Sequence, residues 1–152
     1  MGNCGSAPTP MVKYEQDETS FPYRKTVGAL MYLMVSTRPD IAYAVSIVSR
    51  SLENPTINDW CRVKRILRYL EGTKDCGIVY KKHFGSGVLN CYSDSDFGGD
   101  YEKRRSTTGL LTLYAGGAIS WISQRQPSVQ LSTTGTEIVA ASEAARGTIW
   151  LK

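Results

Sequence analysis

The feature that most constrains this chain is a change of hydrophobic period near its middle. Up to about residue 72 the apolar side chains recur at helical spacing; beyond it they come in short runs separated by glycines and polar stretches. A 3.6-residue stripe cannot be laid against a sheet as a strand, and a period-two run leaves a helix apolar all round, so the two halves need different local structure. The order of the two patterns predicts an α+β chain: a helical unit first, then a mixed sheet of three strands with one helix packed on it.

The first half divides at its prolines. Residues 1–21, with Pro8, Pro10 and a polar run, read as an extended leader. Residues 22–36 read as a helix with Pro22 in its first turn and Val27, Leu30, Met31 and Met34 at helical spacing. Arg38-Pro39-Asp40 breaks it, and Pro39 opens a second helix whose stripe is Ile41, Ala44, Val45, Val48 and Leu52. Asn54-Pro55 ends that helix. A third, Ile57 to Leu70, buries Trp60, Val63, Ile66, Leu67 and Leu70, with Asn58 or Asp59 as the N-terminal cap and Gly72 as the C-terminal one.

In the second half, residues 77–81 suggest a short strand and 83–87 a turn-rich joint. Strands are expected at 88–93, 110–114 and 118–123, the last two joined through Ala115-Gly116-Gly117. A helix follows over 132–152, with Ile138, Ala141, Ala145 and Ile149 on its inner face. The expected organisation is therefore a leader at 1–21, a helical segment at 22–84 and a sheet-containing segment at 85–152.

Bulk properties narrow the function classes. No apolar run approaches the ~20 residues of a membrane span. The net charge of +4 permits a polyanionic partner without requiring one. Cys4, Cys61, Cys76 and Cys91 have no CxxC spacing and His83 is the one histidine, which argues against a structural zinc site and for reduced thiols in an intracellular protein.

Three stretches in the second half have a distinctive character: Tyr92-Ser93-Asp94-Ser95-Asp96-Phe97-Gly98-Gly99-Asp100, then Lys103 to Gly109, then Leu131 to Ala144 with Thr136-Glu137 inside it. With Ile119-Ser120-Trp121 and the closing Trp150-Leu151-Lys152, their order and spacing resemble the ribonuclease H domain of copia-type retrotransposon polyproteins. In the first half, Gly28-Ala29-Leu30-Met31-Tyr32-Leu33, Thr37-Arg38-Pro39-Asp40-Ile41-Ala42-Tyr43 and Val63 to Thr73 resemble the segment that follows the polymerase palm in the same polyproteins. Met1-Gly2 with Cys4 also fits a loose lipidation pattern, but the resemblance reads Met1 as an internal methionine.

The resemblance implies a function and a site. The family hydrolyses the RNA of RNA–DNA hybrids with clustered carboxylates holding Mg²⁺ or Mn²⁺, which suits hard oxygen donors. By motif position the catalytic and metal-ligating residues are Asp94, at the end of the first strand, and Glu137, near the start of the helix. Asp96 is a weaker candidate, and Asp100 is expected to be solvated in the loop. The chain departs from the family at Gly135, where an acidic residue is usual, and at Ile138, where an aromatic is usual. The family draws further carboxylates from later elements, and no paired-aspartate palm motif occurs here. Two carboxylates hold metal more weakly than three or four, so this chain by itself is expected neither to polymerise nor to cut efficiently.

Two basic groups complete the reading. Arg62, Lys64, Arg65 and Arg68 lie on the third helix, and Lys103, Arg104 and Arg105 follow Asp94. They can contact a nucleic-acid backbone without reading bases; equally, the helical set can be a solvated face whose stems cover apolar surface. Expected partners are an RNA–DNA hybrid and the rest of the Pol polyprotein, with no membrane. The competing reading is a non-catalytic nucleic-acid-binding or interaction remnant of such an element.

Overall fold

The computed structural model describes residues 21–82, 87–100 and 103–151. The predicted leader, except Phe21, and most of the turn-rich joint at 83–87 lie outside the described residues. The chain forms two compact units, Met1–Gly77 and Ile78–Lys152.

In the first unit the order is α1 (Tyr23–Ser36), a 3-10 turn at Pro39–Ile41, α2 (Ala42–Val48), a second 3-10 turn at Ser49–Ser51, and α3 (Ile57–Gly72). The proline-rich break falls where expected, but the second helix is shorter, because its two ends tighten into 3-10 turns. Tyr23, Val27 and Leu30 of α1 meet Ile41, Ala44, Val45 and Val48, and Val63 and Ile66 of α3 close the core. Each fully buried Val, Leu or Ile contributes about 1.5–3 kcal/mol by leaving water. Met34, Leu52, Trp60, Leu67 and Leu70 pack around this centre, whereas Met31 stays exposed. Phe21 stacks on Trp60, ring centroids 5.1 Å apart, and the buried Tyr23 hydroxyl donates to the Val48 carbonyl at 2.7 Å.

The cap of α3 differs from expectation. Thr56 is the N-cap: its hydroxyl accepts from the Asp59 N–H, and the Asp59 carboxylate accepts from the Thr56 N–H at 3.0 Å. Asp59 occupies the return position of a capping box, three residues inside the helix. Gly72 remains helical, and Thr73 caps the C-terminus through its N–H to the Leu70 carbonyl.

The second unit holds β1 (Asn90–Ser95), β2 (Thr107–Tyr114), β3 (Gly117–Arg125) and α4 (Thr133–Trp150). The strands run in the order β1-β2-β3 and are antiparallel throughout, rather than mixed. The β2–β3 connection is a two-residue turn, Ala115 and Gly116, both at positive φ, as the twist of a tight hairpin requires. A bulge between Thr112 and Leu113 shifts the β2–β3 register. Residues 77–81 form no strand. Instead the Lys81 N–H donates to the Ala115 carbonyl at 2.8 Å, and the Tyr80 hydroxyl donates to the Ala118 carbonyl at 2.8 Å. A Cβ on Gly117 would stand 2.5 Å from the Tyr80 ring, so glycine lets the ring lie against β3.

Helix α4 packs on β1 and β2, but by a different face from the predicted one. Thr136 and Ala140 are buried and Ala144 half-buried, while Ile138, Ala141, Ala145 and Ile149 are exposed. Small side chains at i, i+4 and i+8 allow a close backbone approach that isoleucines would prevent. The Thr136 hydroxyl tolerates burial because it donates to the Thr133 carbonyl at 2.7 Å. The interior of this unit is correspondingly polar: Ser106, Thr107, Thr108, Thr112, Gln126 and Thr136 are buried beside Ala118 and Ala140.

Candidate functional site

Asp94 lies near the end of β1, opposite Gly109, and is exposed. Glu137 stands in α4, directly after the buried Thr136, and is also exposed. Among the described residues, no group of three or more His, Cys, Asp or Glu side chains is gathered closely enough to hold a metal ion. The two carboxylates offer oxygen donors of the right kind for a hard divalent ion, in a smaller number than a closed site uses.

The other two acidic residues of the motif are structural. Asp96 continues the strand: its N–H donates to the Thr107 carbonyl at 3.2 Å, and its carboxylate accepts from the Thr107 N–H at 2.6 Å. Asp100 is not solvated as expected. Its carboxylate pairs with Arg125 at 2.7 Å and accepts from the Lys103 N–H, while its backbone exchanges hydrogen bonds with Arg104 and Arg105. The Gly98 N–H donates to the Ser106 hydroxyl at 3.1 Å. The loop after β1 is thus tied at several points, and it leaves Lys103 and Arg104 exposed and Arg105 half-buried. Arg104 holds φ at 53°, a left-handed conformation secured by its N–H to the Asp100 carbonyl.

On α3 the cations are less free than a solvated face implies. Arg62 pairs with the buried Asp59 at 3.0 Å, so it supports the helix cap. Arg65 and Arg68 are half-buried, and Lys64 is exposed. The spacing of 62, 65 and 68 puts the three arginines on one face.

Two further polar groups stand out that sequence patterning does not single out. Arg38 is buried and grips the Asp40 carboxylate with Nε and Nη2 at 2.9 and 2.7 Å. The same guanidinium donates to the Thr73 carbonyl at 3.1 Å and hydroxyl at 2.6 Å, and lies 5.8 Å from the centre of the Tyr69 ring. Burial opposes ionisation of Asp40, but the Arg38 and Tyr69 hydrogen bonds outweigh it and hold the carboxyl below its ordinary range. Burial also pushes the Tyr69 phenol up, with Asp40 adding to the shift. Gln126 is the second group: its wholly buried amide donates to the Thr108 hydroxyl at 3.1 Å and to the Thr136 carbonyl at 3.1 Å. The sequence signs of Arg38 were its place beside a proline break and within the Thr37 to Tyr43 motif, neither of which indicated burial; Gln126 gave none.

Compared with known proteins, the chain is similar to the retrovirus-related Pol polyprotein from transposon TNT 1-94 of Nicotiana tabacum, 52% identical over 86% of this chain and 10% of that protein. It is 38% identical to the Pol polyprotein from transposon RE1 of Arabidopsis thaliana, over 95% of this chain and 10% of that protein. It is 46% identical to the secreted RxLR effector protein 161 of Plasmopara viticola, over 86% of this chain and 91% of that protein. The chain therefore spans about a tenth of the length of these transposon polyproteins. No family model and no solved structure matches it.

Proposed function

The chain belongs to the copia-type retrotransposon Pol polyprotein family, and we propose that it is the segment in which the end of a reverse transcriptase, residues 22–84, meets part of a ribonuclease H domain, residues 85–152. In the intact polyprotein its role is hydrolysis of RNA in RNA–DNA hybrids during RNA-mediated transposition. The observation that carries this reading is the 52% identity to a transposon Pol polyprotein across 86% of the chain. It is supported by a carboxylate near the end of the first strand of an antiparallel meander and another early in the helix that follows. Asp94 and Glu137 are the residues to hold Mg²⁺ or Mn²⁺. Ions held there would supply an activated water and stabilisation of the leaving oxygen. Lys103 and Arg104, displayed by a tied loop, supply phosphate contacts; they fix the duplex without reading its bases.

The test has two arms. In EDTA, a gel shift with an RNA–DNA hybrid should show salt-sensitive binding that Lys103→Glu with Arg104→Glu weakens. With Mg²⁺ or Mn²⁺, the 152-residue chain should cut the hybrid poorly, because two carboxylates underfill the site. Robust cleavage abolished by Asp94→Asn would show instead that the pair suffices.

A second reading is that the segment acts as a non-catalytic binding module. Its support is the effector protein of nearly the same extent, of which this chain covers 91%, and the lack of a three-donor cluster among the described residues. Hybrid binding in EDTA without cleavage at any metal concentration selects it.

A further inference from the structure

The buried amide of Gln126 joins three elements at one point. Gln126 follows β3, and its N–H extends the ladder to the Ser106 carbonyl at 2.8 Å. Its side-chain nitrogen reaches the Thr108 hydroxyl on β2 and the Thr136 carbonyl in α4, both at 3.1 Å. Thr136 immediately precedes Glu137, and Thr108 pairs across the ladder with Ser95, the neighbour of Asp94. The amide thus ties the backbone turn that carries one candidate carboxylate to the strand pair that carries the other.

The N-cap of α4, Ser132, bonds within its own helix, accepting from the Gly135 N–H at 3.1 Å. The helix packs by Thr136 and Ala140, small side chains that give close approach and little lateral restraint. An apolar contact slides at small cost, whereas a buried hydrogen bond fixes direction and distance, and a buried acceptor left without its donor is destabilising. Among the described residues Gln126 Oε1 has no hydrogen-bond partner, so the two donated bonds are what hold the amide in place.

We infer that Gln126 is a positioning residue: it fixes the register of the first turns of α4 on the sheet, and through that turn it sets Glu137 relative to Asp94. This rests on the proposed metal role of those two carboxylates, and the two claims separate experimentally. Gln126→Met keeps length and volume but removes both donors; Thr108→Val removes one acceptor and leaves the bond to Thr136. Hydrogen exchange of the 131–140 segment reads the clamp without reference to activity. Exchange there should rise at least tenfold in Gln126→Met and less in Thr108→Val, with β2–β3 amides unchanged. Unchanged exchange in Gln126→Met overturns the clamp, and uniform loss of protection through β2–β3 overturns its locality.

Mn²⁺ titration followed by electron paramagnetic resonance reads the carboxylates. Binding by the wild-type chain that Asp94→Asn and Glu137→Gln each remove, and that Gln126→Met weakens about tenfold, supports the positioning role. Binding lost in the carboxylate variants but untouched by Gln126→Met overturns it. Binding that is absent, or indifferent to Asp94→Asn, defeats the metal reading and the positioning role with it, while the clamp is still judged by exchange.

Discussion

Replacing Arg38 by methionine tests most directly how the helical unit is held together. The guanidinium is buried, binds Asp40 through two charge-assisted bonds at 2.9 and 2.7 Å, and binds Thr73 through two more. Removing one partner of a fully buried ion pair costs about 3–5 kcal/mol, because the other charge is stranded. Asp40 keeps 34% of its side chain in solvent, so water recovers part of that loss. Methionine also retains much of the packing against Tyr69. The expected destabilisation is therefore about 2–3 kcal/mol, against a total of about 4–11 kcal/mol for a unit of this size. Opening equilibria then rise about 30- to 150-fold, at tenfold per 1.4 kcal/mol. Hydrogen exchange of α3 amides, measured where opening is rapid and reversible, reads that factor for this unit alone. Arg38→Lys should fall between, since lysine keeps the charge but cannot span Asp40 and Thr73 with a fork. A change under threefold in Arg38→Met, or a lysine variant indistinguishable from methionine, would refute the reasoning that geometry rather than packing sets the contribution.

Acid should erase part of this effect. The Asp40 carboxyl is held below its ordinary range, so its contribution is complete above the unfolded value of about 3.9 and is lost as pH falls through the lower folded value. Titrating exchange protection of α3 downward from pH 6 should show wild type and Asp40→Asn converging below about pH 4, and parallel curves would contradict the assignment. Thr56→Ala should destabilise the first unit by about 1 kcal/mol through loss of the capping box; a urea midpoint shift checks it. Gly117→Val drives a side chain into the Tyr80 ring, and should destabilise the second unit by about 1–3 kcal/mol, with relief in a Tyr80→Ala background if that contact is the cause. Lys103→Ala with Arg104→Ala should lower the salt slope of hybrid binding by about 2 if each cation meets one phosphate, with no change in melting. Arg62→Ala, in contrast, should lower stability by removing the ion pair to the buried Asp59, which keeps its bond to the Thr56 N–H.

The sequence alone determined the class of each half, because periodicity is local. The stripe Ile41, Ala44, Val45, Val48 and Leu52 needs no partner to be recognised, and all five residues pack in or against the core. The family motifs were equally legible, since residue identity and order carry them. Tertiary structure decided what periodicity leaves open. It chose which stripe of α4 meets the sheet, preferring Thr136 and Ala140 to Ile138 and Ile149, because close packing rewards small side chains where apolar content ranks large ones first. It turned Asp100 from an expected solvated residue into the ion-pair anchor of the loop that displays Lys103 and Arg104, through Arg125, twenty-five positions away. It brought Arg38 to Thr73 and Gln126 to Thr108, contacts between residues distant in the chain. Hydrogen bonds of this kind leave no trace in local pattern, because a polar residue at a break or after a strand looks alike whether water or a buried partner satisfies it.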